Sequence, residues 1–347
     1  VIPWGAPSVA GLELTLRCPC RCQTCGSRAG AARPRELEHD EWLGVIDGLA
    51  RLGCRHVSLL GGEPLLYSRW AELAEAARLR ELVVDLVSSG QGIDQDVASR
   101  IRDSGLHAVT ISVDALADTH DRQRGVAGCF AQALRAIRLL DRAGLMVGVT
   151  SQLNQESFTE LEALAPVLED AGVLGWQLQL TLPMGRTELH RHLPLPPDMM
   201  PALLRVLRRL AARPGLRPHL TDNLGYCTSD DLELRTVQGG FPRPWLGCRA
   251  GLEAVGITSD GNVKGCLALP DACIEGNVRA APLAELWNDP RRFSHNRRFT
   301  PAQLGGECQR CEHSAGCRGG CTAAAYARFG RPGISDHCFR LHDRPGR

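Results

Sequence analysis

Six short apolar runs, each followed by a longer amphipathic stretch, fill the first 213 residues and restrict the chain to a few architectures. The runs are LELTL (12–16), HVSLL (56–60), LVVDLV (82–87), AVTISV (108–113), MVGVTS (146–151) and WQLQLT (176–181). Helix-period stretches lie near 40–52, 68–79, 94–104, 129–143, 157–171 and 198–212. Strands joined by helical crossovers pair in parallel. Runs such as HVSLL read as strands buried on both faces. The expected fold is α/β with a parallel sheet, and periodicity leaves open whether that sheet lies flat or curls into a barrel.

The remainder has a different character. Residues 186–247 are rich in Pro, Arg and Leu around one helix candidate, and 214–244 reads as a bridge. From 245 to 347 glycine, cysteine and short turns dominate, and GITSDGNVKGC (256–266) carries the DG signal of a hairpin. The expected domains are therefore 1–213, the bridge 214–244, and a small cysteine-rich domain over 245–347.

Composition narrows the functional class. The chain has 347 residues and a net charge of +1, so no electrostatic footprint points to nucleic acid or an anionic membrane. No uncharged apolar run is long enough for a membrane span. Residues 1–10 lack the features of a secretory signal, and the chain begins at Val1, as if a segment upstream had been removed. Fifteen cysteines are the outlier. In a chain without an export signal they read as metal or Fe–S ligands in a reducing cytoplasm rather than as disulfides.

The first cluster is CPCRCQTC (18–25), in which Cys18, Cys22 and Cys25 have the spacing C-x3-C-x2-C. Three thiolates this close suit three corners of a cubane cluster and leave the fourth iron open. A zinc site with Cys20 or a distant fourth ligand is the alternative. After HVSLL comes GGEP (Gly61, Gly62, Glu63, Pro64). Two glycines allow the backbone to approach a ligand, and Glu63 offers a carboxylate to an ammonium group. Both motifs end a strand, on the sheet edge where α/β folds bind ligands.

With C-x3-C-x2-C after one strand, GGEP after the next and a sixfold βα pattern behind them, residues 11–213 resemble the radical S-adenosylmethionine (SAM) superfamily. The resemblance implies a partial (β/α)6 TIM-like barrel. It also implies a [4Fe–4S] cluster on Cys18, Cys22 and Cys25, whose fourth iron takes the amino and carboxylate groups of SAM. Gly61, Gly62 and Glu63 would lie along the methionine amino group. By the same resemblance, Ser89, Ser112 and Asp114 are candidates for contacts to the ribose or methionine, and Arg124 for the methionine carboxylate. The family's aromatic residue before the third cysteine is Thr24 here, so that edge of the SAM pocket is expected to be built differently.

Farther along come Cys248, Gly261 and Cys266, then Cys308-x2-Cys311-x5-Cys317-x3-Cys321, then Cys338. This order and spacing resemble the SPASM extension of radical SAM enzymes and imply two auxiliary [4Fe–4S] clusters. The nearer would use Cys248, Cys266 and Cys321, and the farther Cys308, Cys311, Cys317 and Cys338. The nearer lacks a fourth cysteine. Cys273 is the first candidate, because its loop can fold back on one cluster; Cys227 or an open iron are the alternatives. Cys20 is expected to be a spare thiol, and Cys54 and Cys129 buried hydrophobes.

The resemblance implies reductive cleavage of SAM to a 5′-deoxyadenosyl radical, with a flavodoxin or ferredoxin as electron donor. Auxiliary clusters favour a net two-electron oxidation such as a crosslink or dehydrogenation. A ribosomally made precursor peptide is the first choice of substrate. Residues 1–17 hold no peptide-recognition domain, which assigns leader recruitment to a separate protein or a removed segment. Sulfatase maturases place an Asp after the counterpart of Cys266, where this chain has Leu267, with Asp271 close but misplaced. A small-molecule natural-product dehydrogenase or epimerase is the second reading, and a non-catalytic zinc or Fe–S regulatory protein the third. His120 and Tyr226 lie where substrate contacts could occur, but no residue is singled out as the catalytic acid or base.

Overall fold

The computed structural model describes residues 2, 4–237, 240 and 244–342. One ten-stranded sheet organises them. Its strands are β1 (Val9–Glu13), β2 (His56–Leu60), β3 (Val83–Ser88), β4 (Ala108–Ser112), β5 (Met146–Leu153), β6 (Gly175–Leu180), β7 (Pro218–Leu220), β8 (Ala254–Ile257), β9 (Asn262–Lys264) and β10 (Gly276–Asn277). The order is β10-β9-β8-β1-β2-β3-β4-β5-β6-β7, parallel from β8 to β7 and antiparallel at β9 and β10. The strands β7 and β10 remain edges, so the barrel is partial.

The crossover helices are α1 (His39–Arg51), α2 (Trp70–Arg78), α3 (Gln95–Asp103), α4 (Ala117–Arg124), α5 (Cys129–Arg142), α6 (Leu161–Asp170) and α7 (Met200–Ala212). Shorter helices follow: α8 (Asp231–Arg235), α9 (Leu283–Asn288), α10 (Ser294–Arg297), α11 (Ser314–Cys317), α12 (Thr322–Phe329) and α13 (Phe339–His342). All six expected strands form. The first starts earlier than LELTL suggests, because Val9–Glu13 pairs with His56–Leu60 and the chain leaves the sheet soon after. The expected bridge contributes β7 to the sheet, and its residues 238, 239 and 241–243 lie outside the described residues. The DG hairpin forms as β8–β9, and β8 continues the sheet beside β1. Among the described residues no helix is long and apolar enough to cross a membrane.

The two faces of the sheet differ. Val57, Leu59, Val84, Leu86, Val109, Ile111, Val147, Val149, Trp176 and Leu178 are buried in the apolar core. Each such side chain contributes about 1.5–3 kcal/mol of hydrophobic stabilisation. The alternate positions, among them Ser58, Asp85, Thr110, Ser112, Thr150, Gln152, Gln177 and Gln179, are only partly buried. The expectation that the strands are buried on both faces is therefore corrected: a partial barrel keeps an open, polar lumen, and period-2 alternation supplies its lining.

Candidate active site

Past β1 the chain turns into the loop that carries the first cysteines. The Glu36 carboxylate fixes this departure by accepting from the Thr15 hydroxyl (2.8 Å) and the Leu16 amide (2.7 Å). The Cys18 amide donates to Gly30 O (3.2 Å) and the Gly30 amide to Leu16 O (2.9 Å), closing the loop. Arg186, beyond β6, staples it from the far side of the barrel. Its guanidinium donates to Cys22 O (2.7 Å) and Ala29 O (2.6 Å), and its amide to Cys25 O (2.9 Å). Cys18, Cys22 and Cys25 face a cavity of about 220 Å³ whose wall includes Gly61, Gly62, Ser89, Ser112 and Arg124.

The glycines of GGEP line this cavity and also pack against the cysteine loop. A Cβ on Gly61 would lie 2.5 Å from Thr15 O, and one on Gly62 would lie 2.6 Å from Leu16 O and closer still to Arg17 O. The Gly62 amide donates to Thr15 O and the Glu63 amide to Arg17 O, each at 2.7 Å. The glycines thus let the β2 end lie directly against the root of the cysteine loop. Glu63 lies behind the cavity wall. Its carboxylate is buried and accepts from Ser88 Oγ (2.9 Å), Ser89 N (2.9 Å), Ser89 Oγ (2.5 Å) and Leu65 N (3.4 Å). Burial pushes its pKa up despite these donors. With its oxygens occupied, it positions Ser88 and Ser89, which line the cavity, and does not itself line it.

Arg124 closes another side. Its Nη1 lies 3.8 Å from Cys22 Sγ and its Nε 2.8 Å from Asp114 Oδ2. Asp114 is fully buried, also accepts from the Gln152 amide (3.0 Å), and is absent from the cavity wall. Its carboxylate orients Arg124. His120 is likewise internal: Nδ1 accepts from the Asp114 amide (3.1 Å), and burial first, then Arg124, bring its pKa down to about 4. A hydrogen bond from Cys20, and secondarily the Arg124 charge, lower the Cys22 thiol to about 6. Cys20 is buried among the Cys18, Cys22 and Cys129 thiols, and its hydrogen bond with Cys129 pushes it up. Cys129, at the start of α5, is therefore no isolated buried hydrophobe but a partner of Cys20 and of Gln91 Nε2 (3.3 Å). Cys54 is buried as expected.

The later cysteines separate into two groups. Cys248, Cys266 and Cys321 share one small cluster, and their mutual charge repulsion adds to burial in raising the Cys266 and Cys321 thiols, Cys266 to about 11. Cys273 lies in the same cluster but hydrogen-bonds with the Tyr326 phenol, and its electrostatic neighbours are Glu275 and Lys264. The loop thus returns Cys273 to the cluster of the other three thiols, with its own thiol bonded to Tyr326. Cys308, Cys311, Cys317 and Cys338 line a second small cavity of about 30 Å³. Cys227 joins this group by a hydrogen bond with Cys317, so it is no candidate for the nearer set. Tyr226 is buried, with its hydroxyl donating to Asp222 O (3.1 Å) and accepting from the Cys321 amide (3.1 Å).

Comparison with known proteins decides what this arrangement is. The radical SAM superfamily model matches residues 12–164, and the SPASM model, an iron–sulfur cluster-binding domain, matches 248–312. This chain is a radical SAM enzyme with a SPASM domain. It is 26% identical to an AdoMet-dependent heme synthase of Methanosarcina barkeri over 94% of each chain. It is 29% identical to the mycofactocin maturase MftC of Mycobacterium tuberculosis, over 98% of this chain and 85% of the relative. In structure it resembles Streptococcus suis SuiB bound to S-adenosylmethionine, with a TM-score of 0.73 at 17% identity, covering 96% of this chain and 77% of SuiB.

Radical SAM membership implies a [4Fe–4S] cluster and SAM, and the SPASM domain implies auxiliary Fe–S clusters. The first thiol group fits such a cofactor: Cys18, Cys22 and Cys25 line one cavity together with Cys20, with an arginine beside them and the Ala29 amide 3.3 Å from Cys25 Sγ. A larger cavity of about 690 Å³ lies between β7 and the segment leading into the SPASM strand β8. Gln179 lines both cavities. Sequence reasoning missed Arg186, Glu36, Gln177, Gln179 and Trp245. The glutamines were legible as alternate polar positions in WQLQLT; the others have no local signal.

Proposed function

We propose that this radical SAM enzyme is a peptide-modifying oxidoreductase with three [4Fe–4S] clusters. One would sit on Cys18, Cys22 and Cys25. Two auxiliary clusters would sit on the Cys248, Cys266 and Cys321 group and on the Cys308, Cys311, Cys317 and Cys338 group. When bound and reduced, the first cluster supplies one-electron cleavage of SAM to methionine and a 5′-deoxyadenosyl radical, which removes a hydrogen atom from the substrate. The chain's residues do the rest. Arg124, held by Asp114, presents positive charge beside Cys22, suited to the methionine carboxylate. Ser89 and Ser112 line the same cavity, with Ser89 held by Glu63. Arg186 and the GGE backbone hold the cysteine loop rigid.

The wall of the larger cavity carries the peptide reading. It presents the side-chain amides of Gln177 and Gln179, which both donate and accept and so match a peptide backbone. Two of its arginines are ion-paired with carboxylates of the chain, and the third, Arg318, bonds a carbonyl and keeps a buried Nε without a partner among the described residues. Arg235 binds Asp231, Thr221 O and Leu224 O; Arg249 binds Glu253; Arg318 binds Cys248 O. A substrate recognised mainly through several carboxylates would call for more than the one guanidinium without a carboxylate partner that Arg318 offers there. The cavity's place at the open seam of the partial barrel suits lateral entry of an extended chain. The relative described as a maturase supports this reading, and the one described as a heme synthase supports a second, a carboxylated tetrapyrrole. A flavodoxin- or ferredoxin-type donor and a separate recognition protein complete the proposed system.

The test is anaerobic reconstitution with iron and sulfide, followed by reduction with SAM and assay for 5′-deoxyadenosine, with Cys22→Ala as control. Synthetic peptides and a tetracarboxylate porphyrin are offered in parallel and products weighed by mass spectrometry. Loss of two hydrogens from a peptide supports the proposal, and turnover of the porphyrin alone selects the second reading. Tightly bound zinc with no iron and no 5′-deoxyadenosine would overturn both.

A further inference from the structure

Trp245 stands between the large cavity and the farther thiol group. Its indole Nε1 donates to Cys317 Sγ at 3.1 Å, while the same residue forms part of the wall of the 690 Å³ cavity. The side chain is held firmly. Its ring lies 4.8 Å from that of Tyr226, the Arg235 guanidinium sits 5.0 Å from its centroid, and its backbone amide donates to Asp231 Oδ2 at 3.1 Å. The other tryptophan N–H groups that have partners bond elsewhere: Trp176 to Ser151 Oγ and Trp287 to Gly5 O. An N–H donor on a cluster-bound thiolate stabilises the state with more negative charge on sulfur, which is the reduced one, and so raises the potential.

We infer that Trp245 is a positioning residue that raises the reduction potential of the cluster held by Cys308, Cys311, Cys317 and Cys338, acting from the wall of the substrate cavity. The inference rests on the cofactor reading above. It gives the far cluster a direct structural link to the place where a substrate is oxidised, through one rigid ring. Trp245→Phe keeps the aromatic packing against Tyr226 and Arg235 and deletes the donor, so it isolates the hydrogen bond.

The test is an EPR-monitored redox titration of the reconstituted full chain. In Trp245→Phe the reduced-to-oxidised ratio of one auxiliary cluster at a fixed poise should fall about tenfold, equal to about 59 mV for a one-electron couple. The other cluster potentials should stay in place. Unchanged potentials throughout would overturn the proposal. Should the variant not assemble iron, wild-type enzyme labelled with ¹⁵N-indole tryptophan decides. A ¹⁵N hyperfine coupling on one reduced auxiliary cluster is the expected result, and its absence overturns the proposal. A wild-type chain that assembles no auxiliary cluster at all would overturn the cofactor reading and this inference with it.

Discussion

Gly62→Ala tests whether GGEP acts on the cysteine loop. The new Cβ would lie 2.6 Å from Leu16 O and closer still to Arg17 O, and ordinary contact begins near 3.4 Å, so the two backbones must separate by more than about 0.8 Å. Both facing atoms are main-chain carbonyls, which cannot swing aside as a side-chain end could. The separation strains the bonds Gly62 N–Thr15 O and Glu63 N–Arg17 O, both 2.7 Å. At about 1 kcal/mol each their loss costs about 2 kcal/mol. Unfolding entropy of about 2.1 cal/mol/K per residue over 347 residues makes that a fall of about 3 °C in Tm. The effect on metal is larger, because ligand distances tolerate only about 0.2 Å. Iron and sulfide analysis after anaerobic reconstitution should show a loss of about four irons per chain, with the auxiliary clusters kept. Gly44→Ala is the control. That position is exposed inside α1 with open space around its Cβ, so alanine should stabilise the chain by about 0.5–1 kcal/mol and leave iron unchanged. A Gly62→Ala chain with full iron and unchanged Tm would refute the reasoning.

Three further outcomes are expected. Arg186→Ala removes two charge-assisted bonds to the loop and should lower iron at the first site only; Arg186→Lys should not restore it, since an ammonium does not reproduce the planar fork that spans both carbonyls. Cys273→Ser should leave auxiliary iron intact by Mössbauer quantitation, whereas Cys266→Ser should reduce it; equal losses would return Cys273 to the ligand set. Folded His120 stays neutral down to about pH 4, whereas in the unfolded chain it binds a proton below about pH 6.5. Stability of the apo chain should therefore fall as pH drops through that window, by about 3 kcal/mol from His120, and then level off. In His120→Asn the fall across that window should be about 3 kcal/mol smaller in urea titrations at successive pH values, with the rest carried by His295, which burial also brings down to about 4, and an undiminished slope counts against the assignment.

The strands and most crossover helices were legible because each follows from local period, and the grouping of thiols was implied by the resemblance to the SPASM extension. What was not legible depended on contacts distant in sequence. The α4 segment ADTHDRQR has no apolar periodicity; its entry is held by Glu160, which accepts from the Leu116 amide and the Thr119 hydroxyl, each at 2.7 Å. The three-residue β7 is too short to signal itself, and its strand state comes from pairing with β6. Side-chain direction was the other hidden quantity. Glu63 and Asp114 belong to the site by position, yet one faces two serines and the other an arginine. Cys273 matched a plausible ligand spacing, yet its thiol turns to Tyr326.

Direction also bears on the position after Cys266, where sulfatase maturases have a carboxylate. Leu267 packs over two glycines of adjacent strands: a Cβ on Gly11 would meet its Cδ1 at 3.3 Å, and one on Gly256 its Cγ at 2.9 Å. The glycines make room for an apolar side chain over β1 and β8. An aspartate there would exchange that packing for a charge without a built partner, which is costly in a partly buried setting. Asp271, the nearby alternative in sequence, points outward and lies 3.5 Å from Lys264 Nζ. The carboxylate that the fold does bring to Cys266 is Asp222, which acts on its thiol electrostatically and lines the large cavity. Its backbone is tied to the same thiol group through the Tyr226 hydroxyl, which bridges Asp222 O and the Cys321 amide. Acidic chemistry beside the nearer cysteines therefore enters from the end of β7, across the seam, and not from the cysteine's own loop.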